Sequence, residues 1–164
     1  MELPNAYGQF RNQIPFDEIS FGYSGIELFP LETIGSEQTG YSVDPTGQSL
    51  CTNEPGSWKS AWVVIGRDSC VGDPIILDSA SVDHMVLTAA YGEGQWNPYP
   101  ISVSIVAFQA TLQAVAQIAC GRESPVAIEH NPLPDELRDA TLSAISALNP
   151  GIDIDYWECF LENE

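Results

Sequence analysis

The chain has 164 residues, enough for one domain that buries a sizeable core without disulfide or metal support. Its 23 acidic and 5 basic side chains give a net charge of -18 at pH 7, which repels phosphate backbones and anionic lipid headgroups. The charge argues against nucleic acid and membrane surfaces as partners and favours a basic protein, although acidity often serves solubility alone.

The sequence also predicts a compartment. The N-terminal MELPNAYGQF lacks the basic segment and apolar core of a signal peptide, and no apolar run approaches the length of a membrane span. The cysteines at 51, 70, 120 and 159 form no CxxC pair, which argues against a zinc ribbon or a thioredoxin motif. We expect a cytoplasmic protein with reduced thiols.

The first sixty residues predict short elements and one long loop. A helix is expected over residues 3–10, where Leu3, Tyr7 and Phe10 share a face. The alternating passage ISFGYSGIELF predicts strand. A short helix over 31–39, ended by a left-handed glycine at position 40, and a surface loop over 41–57 complete this part.

The stretch WVVIGRDSCVGDPIILD, from Trp62 to Asp78, predicts the central hairpin. Two β-branched, apolar runs, 62–65 and 75–77, flank a polar turn that contains glycine and proline. Each run is apolar enough for a buried central strand. A third strand is expected over 86–91.

Glycine and proline predict irregular structure over 92–100, GEGQWNPYP, where Trp96 and Tyr99 would be exposed beside Glu93. The period then changes. Apolar residues recur at steps of three and four from Ile105 to Ala119, which predicts a helix that covers one face of the sheet. Ser104 can cap this helix, and a glycine at 121 can end it.

The acidic C-terminal third, residues 121–164, predicts helices that extend the core. Asn131 is expected to cap one helix, with Pro132 at its first position and an apolar face formed by Leu133, Leu137, Ala144 and Leu148. A last helix begins near Asp155, with Tyr156, Trp157, Phe160 and Leu161 on its apolar face.

No motif predicts catalysis, a cofactor or a metal. His84 and His130 stand beside turns without a GxSxG or HExxH context, so ordinary surface histidines are favoured. Among Asp68, Asp73 and Asp78, only the first two flank the turn closely enough to approach each other. Two carboxylates make a weak divalent site at best, and capping of backbone amides in the turn is favoured.

Several separated motifs together resemble the SUKH superfamily, which includes bacterial toxin-immunity proteins and a fungal regulator of glucan synthesis. They are the opening LPNAYGQF, FGYSGIELFPLETI, GYSVDP, the central hairpin, and TAAYGEGQWNPYPISVSIVAF. The resemblance covers roughly residues 3–120. It implies one α+β domain over 1–164, a twisted, mostly antiparallel sheet with helices packed on it, of which 121–164 is a helical extension.

The resemblance also implies a role without catalytic residues. Relatives bind a partner protein, most often a toxin domain, so an immunity protein that covers the basic groove of a toxin, which could be a nuclease, is expected. The alternative is a regulator or scaffold, and an enzyme or small-ligand binder is the third class. A monomer is favoured by the charge, and a weak dimer through Trp157 and Phe160 stays open.

Site residues follow from the same comparison. The family's signature positions are interpreted as structural, with Gly66 and Gly72 expected to permit backbone angles that a side chain opposes. These positions are Trp62, Gly66, Asp68, Gly72, Asp73 and Asp78. The candidate partner-binding residues are exposed aromatic and acidic side chains. They are Trp58, Glu93, Trp96, Tyr99, Asp135, Glu136 and Asp139.

Overall fold

A six-stranded antiparallel sheet organises the protein in a computed structural model that describes residues 3–162. Each strand pairs with the next along the chain, so the sheet is a meander. The strands are β1 (Glu18–Phe21), β2 (Ser24–Leu28), β3 (Trp62–Asp68), β4 (Pro74–Asp78), β5 (Val86–Gly92) and β6 (Gln95–Ser102). The described residues also form five α-helices, and the predicted α+β class is confirmed. These are α1 (Asn5–Gln13), α2 (Ile105–Ala119), α3 (Pro125–His130), α4 (Asp135–Leu148) and α5 (Asp155–Leu161).

One face of the sheet carries the main core. Alternate strand residues point to this face, and their buried side chains meet those of α1, α2, α4 and α5. Phe108 of α2 lies at its centre, in contact with the rings of Phe10 and Trp157. The Ser104 side chain accepts a hydrogen bond from the Ala107 amide at 3.0 Å and so caps α2 as predicted.

The C-terminal third belongs to this core. Trp157 of α5 is fully buried, and its indole Nε1 donates a hydrogen bond to the Ile101 carbonyl of β6 at 2.8 Å. Asn149, at the end of α4, accepts hydrogen bonds from the Ser102 hydroxyl at 2.6 Å and the Val103 amide at 3.1 Å. A dimer face around Trp157 and Phe160 is therefore wrong, because both side chains are enclosed within the chain.

The opposite face of the sheet is covered by loop rather than helix. Phe29, Trp58 and the outward residues of β3, β4 and β5 form a second, smaller core there. Trp58 is 1% exposed, and its Nε1 donates to the Trp62 carbonyl at 3.2 Å. The segment between β2 and β3 thus supplies the cover through a few large side chains.

Gln38 completes the hydrogen bonding of β3 where β2 has ended. Its side-chain Nε2 donates to the Val64 carbonyl at 2.9 Å, and its Oε1 accepts from the Val64 amide at 3.0 Å. A buried backbone N–H and C=O need partners. The Gln38 amide therefore substitutes for a neighbouring strand at this position.

The expectation of irregular structure over 92–100 is wrong. Residues 95–102 form β6, and a tight turn at Glu93 and Gly94, with φ of 53° and 79°, joins it to β5. Pro98 and Pro100 face Ala89 and Leu87 in the ladder. Proline is tolerated because β6 lies at the edge of the sheet, where alternate amides point away from the neighbouring strand.

Two helix predictions also need correction. Residues 31–39 form turns and a short 3₁₀ helix, Ser36–Gln38, rather than an α-helix. Asn131 does not begin a helix but ends α3, which the sequence did not predict. Helix α4 begins at Asp135 because Pro134 disfavours helical geometry at the residue before it.

The buried face of α4 differs from the predicted one. Thr141 and Ile145 are buried, while Leu137 and Leu148 are 41% and 36% exposed. Ala144 is exposed as well. The late start of the helix leaves Leu133, which packs against the core, in the preceding turn.

Candidate functional site

A cleft with two aspartates opens beside the turn of the central hairpin. It has a volume of about 340 Å³ and lies between the β3–β4 turn, β6 and α5. We call it the acidic cleft. It is lined by Ser24, Asp68, Cys70, Val71, Asp73, Tyr99, Tyr156, Cys159 and Phe160.

Asp68 is held firmly at the end of β3. Its side chain is 8% exposed, and Oδ1 accepts hydrogen bonds from the backbone amides of Cys70 at 2.8 Å and Val71 at 3.1 Å. Oδ2 accepts a third bond from the Tyr156 hydroxyl at 3.1 Å. Asp68 therefore orders the turn and fixes α5 against it, while its carboxylate still lines the cleft.

Asp73 lies across the turn from Asp68 and is only partly exposed. Partial burial, together with the negative charge of Asp68, raises the pKa of the Asp73 carboxyl. Ionisation of Asp73 is therefore opposed by its surroundings, first by burial and then by the neighbouring carboxylate.

All five basic side chains of the protein are engaged elsewhere. Arg67 pairs with Glu27, Arg11 with Asp17, and Arg138 with two aspartates of α4. The Lys59 ammonium and the Arg122 guanidinium donate to backbone carbonyls. Within residues 3–162, neither Asp68 nor Asp73 forms an ion pair.

Two tyrosines supply the aromatic walls of the cleft. Tyr99 of β6 is 45% exposed, whereas Tyr156 of α5 is largely enclosed. Burial first, and then the carboxylates of the cleft, raise the pKa of both phenols. The thiols of Cys70 and Cys159 also line the cleft, and the cysteines are all free.

The signature positions have structural surroundings. A Cβ on Gly66 would lie 2.3 Å from the Glu27 carbonyl oxygen, so close strand packing, and not the expected unusual backbone angle, requires glycine there. Gly72 does have a left-handed φ of 81°. Trp62 packs edge-on against Trp58, and Asp78 accepts a bond from the Ala80 amide at 3.0 Å.

The candidate partner-binding residues divide into separate locations. The expected exposure of Trp58 is wrong, because this side chain is buried in the second core. Trp96 is half-buried, Glu93 is exposed in the β5–β6 turn, and Tyr99 alone among the candidates lines the acidic cleft. The exposed carboxylates of α4 lie outside the cleft lining. They are Asp135, Glu136 and Asp139.

A second concave surface lies on the loop-covered face. Tyr41, Trp58, Tyr91 and Trp96 line this aromatic groove, which has a volume of about 460 Å³. The rings of Tyr91 and Trp96 lie 4.8 Å apart between centroids, and Tyr91 is 61% exposed. The groove offers flat aromatic surface, of the kind that anchors protein interfaces.

The histidines do not join either surface. His130 lies on α3, where its Nδ1 is 2.8 Å from the Val126 carbonyl oxygen. His84 is partly buried in a turn, with a φ of 54°. Within the described part of the chain, no group of three or more His, Cys, Asp or Glu side chains could hold a metal ion.

Sequence reasoning missed Tyr156 and Cys159 as site residues because they lie more than eighty positions from the hairpin turn. Tyr156 was expected only on an apolar helix face, and its hydroxyl bond to Asp68 depends on how α5 docks. Gln38 was missed for the same reason, since its partner Val64 is 26 residues away.

Compared with protein-family models, with curated proteins and with solved structures, the chain matches none of them. The resemblance to the SUKH superfamily therefore stays a prediction. Among residues 3–162, the longest helix is α2, with 15 residues, and none has the length and apolar character that crossing a bilayer requires.

Proposed function

We propose that this protein is a non-enzymatic, protein-binding domain that neutralises a basic toxin domain by covering its functional groove. The proposal takes the cytoplasm as the site of action, where an immunity protein meets an incoming toxin. The observation that carries it is that two carboxylates of the acidic cleft, Asp68 and Asp73, form no ion pair within residues 3–162, in a chain whose net charge is -18.

Electrostatics supports a basic partner. Opposite net charges accelerate encounter and orient two proteins before contact, and many toxins that act on nucleic acid carry a basic groove. Carboxylates that lack an internal cation are available to such a groove without first breaking an ion pair. Asp68 and Asp73 meet this condition, whereas Asp135 and Asp139 share Arg138.

Aromatic surface supports a specific interface. Tyr99 at the acidic cleft and Tyr91 at the aromatic groove are 45% and 61% exposed, and both lie on the β5–β6 hairpin. Tyrosine contributes large contact area at little conformational entropy and is common at interface hot spots. Tyr99 shares the face of Ile101 and Tyr91 the face of Ala89, so the hairpin presents one exposed tyrosine at each of two separate candidate surfaces, on opposite faces of the sheet.

A small-ligand binder is the second candidate, because two carboxylates face a cleft and one of them, Asp73, has a raised pKa. A regulator or scaffold protein of the glucan-synthesis type is the third and rests on the family resemblance alone. Each would bind a different class of molecule, so the identity of the bound molecule separates them.

The test is an affinity capture with the full chain as bait against the lysate and secretome of its own organism, washed with rising salt. We expect a basic toxin domain that is released as the salt concentration rises. The captured protein is then expressed with and without the chain, and rescue of growth measures neutralisation. The matched bait is Glu93→Gln/Tyr99→Ala, which removes exposed side chains of the β5–β6 hairpin.

Three results would contradict the proposal. Binding that does not respond to salt would remove its electrostatic part. Recovery of cell-envelope enzymes alone would favour the regulator. A bound metabolite with no protein partner would favour the small-ligand binder.

A further inference from the structure

We propose that the acidic cleft is the docking site for a single arginine side chain of the partner protein. This inference rests on the proposed function, because the arginine belongs to the partner. It goes further by naming the atoms that meet: the carboxylates of Asp68 and Asp73 and the ring of Tyr99.

The first argument is the unmatched charge of the cleft. Asp68 is only 8% exposed. The groups that donate hydrogen bonds to its carboxylate are two backbone amides and a phenol, all of them neutral. Neutral donors stabilise a buried carboxylate but do not cancel its charge, and buried charges are ordinarily paired. A cation entering the cleft would supply the missing charge.

The second argument is the unused hydrogen-bonding capacity. An ionised carboxylate offers about four acceptor positions. Asp68 uses three of them on groups of this chain, and Asp73 accepts no hydrogen bond from the described side chains or amides. The free acceptors therefore lie on two neighbouring carboxylates, an arrangement that suits a donor with several N–H groups.

The third argument selects arginine over lysine. A guanidinium presents five N–H donors in a plane and stacks its face on an aromatic ring, whereas an ammonium is a compact and strongly hydrated point charge. Tyr99 offers a partly exposed ring at the mouth of the cleft, beside Asp73. One guanidinium can donate to both carboxylates while it stacks on this ring.

The fourth argument is size. The cleft measures about 340 Å³, near the lower end of the roughly 300–1,000 Å³ that small-molecule sites span. That volume admits one long side chain and excludes a large cofactor. The cleft is open to solvent, so the side chain can enter without rearrangement of the core.

The test is an NMR titration of the full ¹⁵N-labelled chain at moderate salt with L-arginine amide. L-citrulline amide, which replaces the guanidinium by a neutral urea of the same shape, is the control ligand. We expect saturable shifts of the amides of residues 68–73, 99 and 156 with arginine amide only. Lysine amide should bind the same residues about tenfold more weakly.

Matched variants locate the interaction. Asp73→Asn should weaken arginine amide binding about tenfold, because it removes one charge of the pair and leaves the turn bonds of Asp68 intact. Glu129→Gln removes one exposed charge from α3 and should leave the binding unchanged. Tyr99→Leu should weaken it less, about threefold, through loss of stacking.

Shifts spread over the acidic surface, equal shifts with citrulline amide, or equal loss in Asp73→Asn and Glu129→Gln would overturn the arginine site. The two proposals fail separately. A toxin domain that binds wild type and Asp73→Asn equally would overturn the proposal that the cleft binds an arginine of the partner, while the proposed function stands. Specific arginine amide binding, without any protein partner, would uphold the chemistry of the cleft and overturn its role in toxin binding.

Discussion

The two faces of the sheet are covered in different ways. On one face, four helices contribute regularly spaced apolar side chains to a core that reaches from Tyr7 to Leu161. On the other face, a loop-rich segment supplies one large anchor, Trp58, and one polar anchor, Gln38. The helical face distributes its stabilisation over many residues, whereas the loop face depends on few, and the aromatic groove opens on that side.

The largest effect is expected on the helical face. Trp157→Ala removes a fully buried indole and its 2.8 Å bond to Ile101, so it should lower the free energy of unfolding by about 3–5 kcal/mol. Urea unfolding followed by circular dichroism measures this. If the free energy of unfolding fell by less than 1 kcal/mol, α5 would not unfold cooperatively with the rest of the protein.

Trp58→Ala should have the next largest effect, about 3 kcal/mol. Trp58 is as buried as Trp157, but it borders the aromatic groove, where neighbouring loop residues can move into the space it leaves. Amide hydrogen exchange should accelerate over residues 38–60 and stay unchanged in α2. Equal acceleration in α2 would show that the two faces unfold together.

Gln38→Ala tests the polar anchor of the loop face. The change leaves the Val64 amide and carbonyl without partners on this side, and we expect a loss of about 2 kcal/mol. Gln38→Glu is the matched variant, because it keeps the acceptor for the Val64 amide but loses the donor. Unfolding in urea ranks the three proteins, and an alanine variant as stable as wild type would contradict the bridging role.

The smallest expected effect is an increase in stability. The pKa of Asp73 is raised in the folded state, so its ionisation opposes folding as pH rises through that pKa. Asp73→Asn should therefore raise Tm slightly at pH 7, and the difference should vanish near about pH 3, below the usual pKa of aspartate. A similar gain in Glu129→Gln would attribute the effect to overall charge rather than to the cleft.

The parts of the fold that sequence reasoning reached are those with local signals. The period of α2, its Ser104 cap and the apolar runs of the central hairpin each depend on residues close in the chain. The parts it missed depend on tertiary context. Pro98 and Pro100 indicate irregular structure in isolation, and only an edge position makes them compatible with β6.

The candidate site shows the same division. The spacing of Asp68 and Asp73 allowed them to approach across the turn and favoured amide capping, which Asp68 performs, but the cleft itself requires α5 to dock beside them. Trp58 was misplaced because its neighbours are polar, although a single tryptophan can fill a core from a loop. Side-chain burial in loops has no periodicity from which to predict it.

The prolines of β6 have a consequence for assembly. At positions 98 and 100 the ring replaces N–H groups that would point outward from the sheet, so this edge offers carbonyls without the alternating donors that an added strand needs. Strand addition, the route by which many sheets dimerise or form fibrils, is therefore blocked along β6. Contacts along this edge are therefore directed to side chains rather than to the backbone.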